Sequence, residues 1–178
     1  MMAKLSPVNQ AYLSLGSNIK PEHNLPAAVT ELARYGWIRA VSSVWQTAAI
    51  GYTEQPDFLN AAVLLETRLS VQDLRQQVIA EIENSLGRIR TENKNGPRSI
   101  DIDIMLFNDE ILSVGSRRIP DPELLEHSYI AIPLAEIAPD FVHPEVKLTL
   151  KEIAQQFNPV LDAINRCNDI QLTELIFA

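Results

Sequence analysis

The run Gly96-Pro97-Arg98-Ser99-Ile100-Asp101-Ile102-Asp103-Ile104 sets two carboxylates two residues apart in an isoleucine-rich stretch. A strand turns alternate side chains to one face, so Asp101 and Asp103 project together, with Cα atoms roughly 6.5 Å apart. Carboxylates so placed can converge on hard cations, and magnesium is commonly held by a couple of carboxylates plus substrate phosphates. An Asp-x-Asp alone is also the ordinary polar half of a half-exposed strand. Its surroundings favour chemistry: Arg88, Arg90, Lys94 and Arg98 lie just before it against the single acid Glu92, in a chain whose formal charge is −8. A cationic loop beside a carboxylate pair suits a site for phosphate and metal, with Arg forking two phosphate oxygens. The six glycines form neither a Walker loop nor a dinucleotide fingerprint, so nucleotide binding would have to use side chains.

A second cluster spans Thr47 to Gly51 and Gln55 to Asn60. It can offer a flat heterocycle an aromatic face from Phe58, an amide from Asn60 and a loop to cover it. His23, His127 and His143 lack metal-ligand spacing, and the lone Cys167 excludes an internal disulfide framework.

These residues need elements to position them. Leu13 and Leu15 share one face of a first strand that Gly16 can end. Leu25, Ala28, Val29 and Leu32 follow a helical period that stops at Gly36. Ile38 to Thr47 and Leu59 to Leu65 read as two further strands. Ser70 and Asp73 resemble a capping box before an apolar stripe of Val71, Leu74, Val78, Ile79, Ile82 and Leu86, closed by Gly87. Ile100 to Phe107 is the last strand. The order βαββαβ predicts an α+β, ferredoxin-like fold: an antiparallel sheet with both helices packed on one face. The proline-rich remainder is expected to form short helices and turns, helical up to Phe157, and its apolar tail Leu175-Ile176-Phe177 carries no evident function.

At 178 residues, 46% hydrophobic and 21% charged, the chain is expected to form a single domain over 1–178 that acts as a monomer. With 15 Lys and Arg against 23 Asp and Glu, a nucleic-acid partner is not expected. Without an 18-residue apolar run or a signal-like start, neither is a membrane partner, and the expected compartment is the cytoplasm.

The chain resembles the hydroxymethyldihydropterin pyrophosphokinases of folate biosynthesis. The resemblance rests on Tyr12-Leu13-Ser14-Leu15-Gly16-Ser17-Asn18, the stretch Gln55 to Val63, Gly87-Arg88-Ile89-Arg90, the block Gly96 to Phe107, and Pro133 to Pro139. It implies the ferredoxin-like fold and transfer of the β,γ-diphosphate of ATP to the hydroxymethyl oxygen of a reduced pterin, releasing AMP. By this resemblance Asp101 and Asp103 hold two magnesium ions. Arg88 and Arg98 act on the phosphates, and Glu83 sits near them. Thr47, Phe58, Asn60 and Tyr129 form the pterin pocket, whose ring stacks between the two aromatics. Asp121 and His127 fall at nucleotide-contacting positions where the family usually has His and Arg; Asn95, Ala48 and Ala49 also depart from its pattern. These departures keep two alternatives open: a pterin-binding or regulatory homologue with weak transfer, or a diphosphotransferase for another heterocyclic alcohol. The loops 48–57 and 90–95 are expected to become ordered when both ligands bind.

Overall fold

The computed structural model describes residues 7–49, 54–89 and 96–177. Residues 50–53 of the 48–57 loop and the whole 90–95 loop, including Asn95, therefore lie outside the described residues. Strand β1 (Asn9–Ser17) is central, flanked by β4 (Phe58–Thr67) and β5 (Asp101–Phe107), both antiparallel to it. On the outer side of β4 lie β2 (Trp37–Val41) and β3 (Val44–Thr47), giving the path β5-β1-β4-β3. The stretch read as one strand, Ile38 to Thr47, is thus two. Between them Ser42 bonds the backbone of Ala62 twice: its amide donates to the Ala62 carbonyl at 2.9 Å, and its hydroxyl accepts the Ala62 amide at 2.8 Å. A side chain keeps the ladder satisfied while the backbone kinks.

One face of the sheet is covered by α1 (Pro21–Leu32) and by α2 (Val71–Asp73), which continues through a π-helical stretch (Leu74–Ile79) into α3 (Ala80–Ser85). The Ser70 hydroxyl accepts the Asp73 amide at 3.1 Å, capping that helix as its sequence suggests. Leu25, Ala28, Val29, Leu32, Leu74, Val78 and Ile82 pack here against Leu13, Leu15, Val63 and Ile102. The opposite face is covered by α4 (Glu123–Glu126), α5 (Ser128–Ile137) and α6 (Leu150–Ala154), where Leu124, Ile130, Leu134 and Ile153 pack on Tyr12, Ala62 and Met105. The short helices expected at the C-terminal end therefore form a third layer. Covering both faces explains why β4 reads as an almost unbroken apolar run instead of alternating.

Two small features were not foreseen. Strands β6 (Leu112–Val114) and β7 (Arg117–Ile119) form a hairpin whose Gly115 takes φ 61°, the left-handed region that glycine occupies without strain. Strand β8 (Asn165–Cys167) pairs with β3, and Leu172 beyond it enters the core at 1% exposure, so part of the tail closes the sheet edge. Three-residue strands are too short to display a period of two.

Candidate active site

The register of the sheet brings the candidate residues to one end of one face. Ser14 pairs with Asp103 and Gly16 with Asp101 across β1 and β5, while Gly16 pairs with Asn60 across β1 and β4. Farther along the same face, Tyr12, Ala62 and Met105 are covered by the C-terminal helices. Beyond them the small residues Ser14 and Gly16 leave a cavity of about 660 Å³, large enough for two small ligands. A Cβ at position 16 would approach Asn60 Oδ1 to 3.3 Å, so glycine keeps the floor flat beside the amide.

The cavity is lined by Thr47, Phe58, Asn60, Arg88, Arg98, Asp101, Asp103, His127 and Tyr129 from among the expected site residues. Arg88 and Arg98 both donate to Asp101, and Arg88 also bonds Glu83 Oε1 at 2.7 Å and the Ile100 carbonyl at 3.0 Å. Burial disfavours the Asp101 charge, but the two guanidinium groups outweigh it and hold the carboxyl below its usual value. The neighbouring Asp103 behaves oppositely: burial, and then the negative charge of Asp101, push its carboxyl up to about 7, against the attraction of Arg117. Two carboxylates on one face, of which Asp103 is short of positive charge, are a donor set suited to a divalent cation. Among the described residues no cluster of three or more His, Cys, Asp or Glu is arranged to hold a metal. A cation on Asp101 and Asp103 would thus complete its shell with phosphate oxygens and water, the habit of magnesium.

At the other end of the cavity the Asn60 amide donates to Thr47 Oγ1 at 2.9 Å, which fixes the side chain and leaves Oδ1 to read a ligand edge. Both aromatic walls are covered in this state. The Arg98 guanidinium sits 5.5 Å from the Phe58 ring centroid, and His127 stacks on Tyr129 with centroids 4.9 Å apart and planes at 16°. Burial pushes the Tyr129 hydroxyl up to about 12, so it stays a neutral stacking surface.

Two expected nucleotide residues do not line the cavity. Glu83 is 4% exposed and braces Arg88 and the Ile102 amide, and Asp121 is 4% exposed and answers Arg117. Sequence reading missed Arg117, which reaches the cavity from the unforeseen hairpin, and Glu123 at the start of α4. It also left Ser17 and Asn18 without a role. Ser17 Oγ donates to the Ser99 carbonyl, and Asn18 Oδ1 accepts the Arg98 amide at 2.8 Å while Asn18 Nδ2 donates to Gln55 and Pro56. The opening Gly-Ser-Asn therefore ties together the loops that carry Arg98 and Phe58.

A family model described as 7,8-dihydro-6-hydroxymethylpterin-pyrophosphokinase matches residues 12–139, from the central strand through α5 and its end. The chain belongs to this family. It is 38% identical over 164 residues to the 2-amino-4-hydroxy-6-hydroxymethyldihydropteridine pyrophosphokinase of Synechocystis, covering 87% of this chain and 83% of that protein. The protein of the same name from Bacillus subtilis is 41% identical over 132 residues, 72% of this chain and 78% of that one. A folic acid synthesis protein of Dictyostelium discoideum is 36% identical over 142 residues, 79% of this chain but 21% of its own length. Among solved structures, wild-type Plasmodium falciparum HPPK-DHPS superposes with TM-score 0.69 at 15% identity, covering 86% of this chain and 45% of that one. That likeness supports the fold; the chain spans less than half of the Plasmodium protein and about a fifth of the Dictyostelium one.

Proposed function

We propose that this chain transfers diphosphate from ATP to the hydroxymethyl group of 6-hydroxymethyl-7,8-dihydropterin, releasing AMP, as a step of folate biosynthesis. The observation that carries the reading is the placement of the Asp101 and Asp103 pair, gripped by Arg88, Arg98 and Arg117, in the same cavity as an amide and two aromatic rings. One end suits a metal-bound triphosphate and the other a flat heterocycle with hydrogen-bonding edges.

In this reading Asp101 and Asp103 hold two magnesium ions, which supply charge neutralisation of the triphosphate and alignment of its β-phosphorus. Arg88 and Arg98 exchange Asp101 for phosphate oxygens. Phe58 and Tyr129 clamp the pterin, with Arg98 and His127 withdrawing from their ring faces, and Asn60 Oδ1 accepts from its edge. The hydroxymethyl oxygen attacks the β-phosphorus, the bond to the α-phosphate oxygen breaks, AMP departs, and the hydroxyl proton passes to solvent. Catalysis here is positioning and charge stabilisation. Glu83 acts by holding Arg88, not by meeting nucleotide. The same reading takes the chain as one pterin pyrophosphokinase-like domain working as a monomer in the cytoplasm.

The binding-only alternative drew on a carboxylate at position 121 near the triphosphate. That part of its motive weakens, because the carboxylate is buried and absent from the cavity wall; its other part, His127 where the family usually has Arg, does line the cavity. The deciding experiment is AMP release from ATP with magnesium and the pterin, beside a no-pterin control and Asp101→Ala. Pterin-dependent AMP that vanishes in the variant supports transfer. Pterin binding without AMP would return the chain to the binding class, and AMP only with other heterocyclic alcohols would change the acceptor.

A further inference from the structure

Arg117 lies on β7, an element separate from the connection between α3 and β5 that carries Arg88 and Arg98. Its guanidinium spans two carboxylates, at 3.2 Å from Asp103 Oδ1 and 3.3 Å from Asp121 Oδ2, and it lines the cavity. Asp121 is fixed on three sides: its amide donates to the Met105 carbonyl at 2.8 Å, its Oδ1 accepts the Glu123 amide at 3.1 Å, and its Oδ2 accepts from Arg117. The carboxylate thus faces Arg117 and not the cavity, while the Arg117 side chain is 41% exposed and able to move. His127, the other basic side chain near this wall, lies flat on Tyr129 and cannot fork two oxygens. Glu123 adds a negative charge to the same lining.

We propose that Arg117 is a third guanidinium that grips the triphosphate of ATP, and that Asp121 is the positioning residue that aims it. This rests on the reading of the site as one that takes magnesium and ATP. A cation on Asp103 takes the charge that Arg117 now answers. The guanidinium keeps Asp121 as a pivot and turns its freed donors to phosphate oxygens, where a charge-assisted fork is strongest. The position that looked repulsive to nucleotide thereby becomes the holder of a cation.

The test uses the full chain and follows magnesium-ATP affinity by calorimetry and ATP KM by AMP release at saturating pterin. Arg117→Ala is expected to weaken both by roughly ten- to hundredfold, the loss of charged hydrogen bonds, with pterin affinity unchanged. Arg117→Lys should recover part of that loss. Arg118→Ala, which changes the exposed neighbour paired with Glu145, should leave ATP affinity alone. Asp121→Asn should raise the ATP KM with little change in kcat, and add nothing in the Arg117→Ala background, since both act through one contact. Unchanged ATP affinity in a folded Arg117→Ala protein, an equal loss in Arg118→Ala, or additive effects of Asp121→Asn would each overturn the assignment. Wild-type chain that binds magnesium-ATP without releasing AMP would sink the transfer reading alone, with Arg117 still decided by the binding series. Wild-type chain that binds no magnesium-ATP would overturn both.

Discussion

Asn18 and Arg98, 80 residues apart, bond each other in both directions: Asn18 Oδ1 accepts the Arg98 amide at 2.8 Å, and the Asn18 amide donates to the Arg98 carbonyl at 3.1 Å. The same side chain, 4% exposed, holds the Gln55 and Pro56 loop through Nδ2. Asn18→Ala leaves the Arg98 amide unanswered in a largely closed setting. It is expected to cost about 1–3 kcal/mol in urea unfolding. It should also lower kcat/KM by more than any fall in folded fraction explains, because it loosens Arg98 and the Phe58 loop together.

Glu83 Oε1 accepts from Arg88 at 2.7 Å and from the Ile102 amide at 3.0 Å, which stations the guanidinium beside the strand that bears both aspartates. Glu83→Ala strips a buried charge partner and is expected to destabilise the fold by about 3–5 kcal/mol. Glu83→Gln keeps an oxygen for the Ile102 amide and should cost less. Equal thermal midpoints for these two variants would contradict the double role.

The two aspartates should separate in stability while agreeing in activity. Asp101→Asn takes the charge from two guanidinium groups, so its thermal midpoint is expected to fall. Asp103→Asn relieves a carboxyl that burial and Asp101 disfavour, so its midpoint without metal should hold or rise, at about 2–4 °C per kcal/mol for a chain of this length. Both should lose most magnesium-dependent AMP release. Calorimetric melting in chelator, beside the activity assay, checks the pair.

His143, 1% exposed, accepts the Glu145 amide on Nδ1 at 3.2 Å, and burial holds it below the ordinary histidine value. An unfolded chain would bind a proton there near pH 6.5, before the native chain does. Stability from the neutral form is therefore present above that pH and is lost as pH falls through the native value. Urea midpoints between pH 5 and 7.5 should decline on the acid side, and His143→Gln should flatten that slope.

The sequence by itself determined the order of the long elements. Leu13 with Leu15, the helical stripe from Val71 to Leu86 and the alternation from Ile100 to Phe107 are patterns written in consecutive residues, which backbone geometry converts directly into strand or helix. The same local rule put Asp101 and Asp103 on one face, and the family motifs named Arg88, Arg98, Phe58 and Asn60 as their companions. Tertiary structure decided which charges meet. Glu83 was expected near the phosphates, and helix packing sets it on Arg88 and the Ile102 amide. Asp121 was expected at a nucleotide-contacting position, and a three-residue strand with no readable period brings Arg117 over it. An ion pair between separate elements depends on how those elements pack, and no periodicity along the chain encodes that distance.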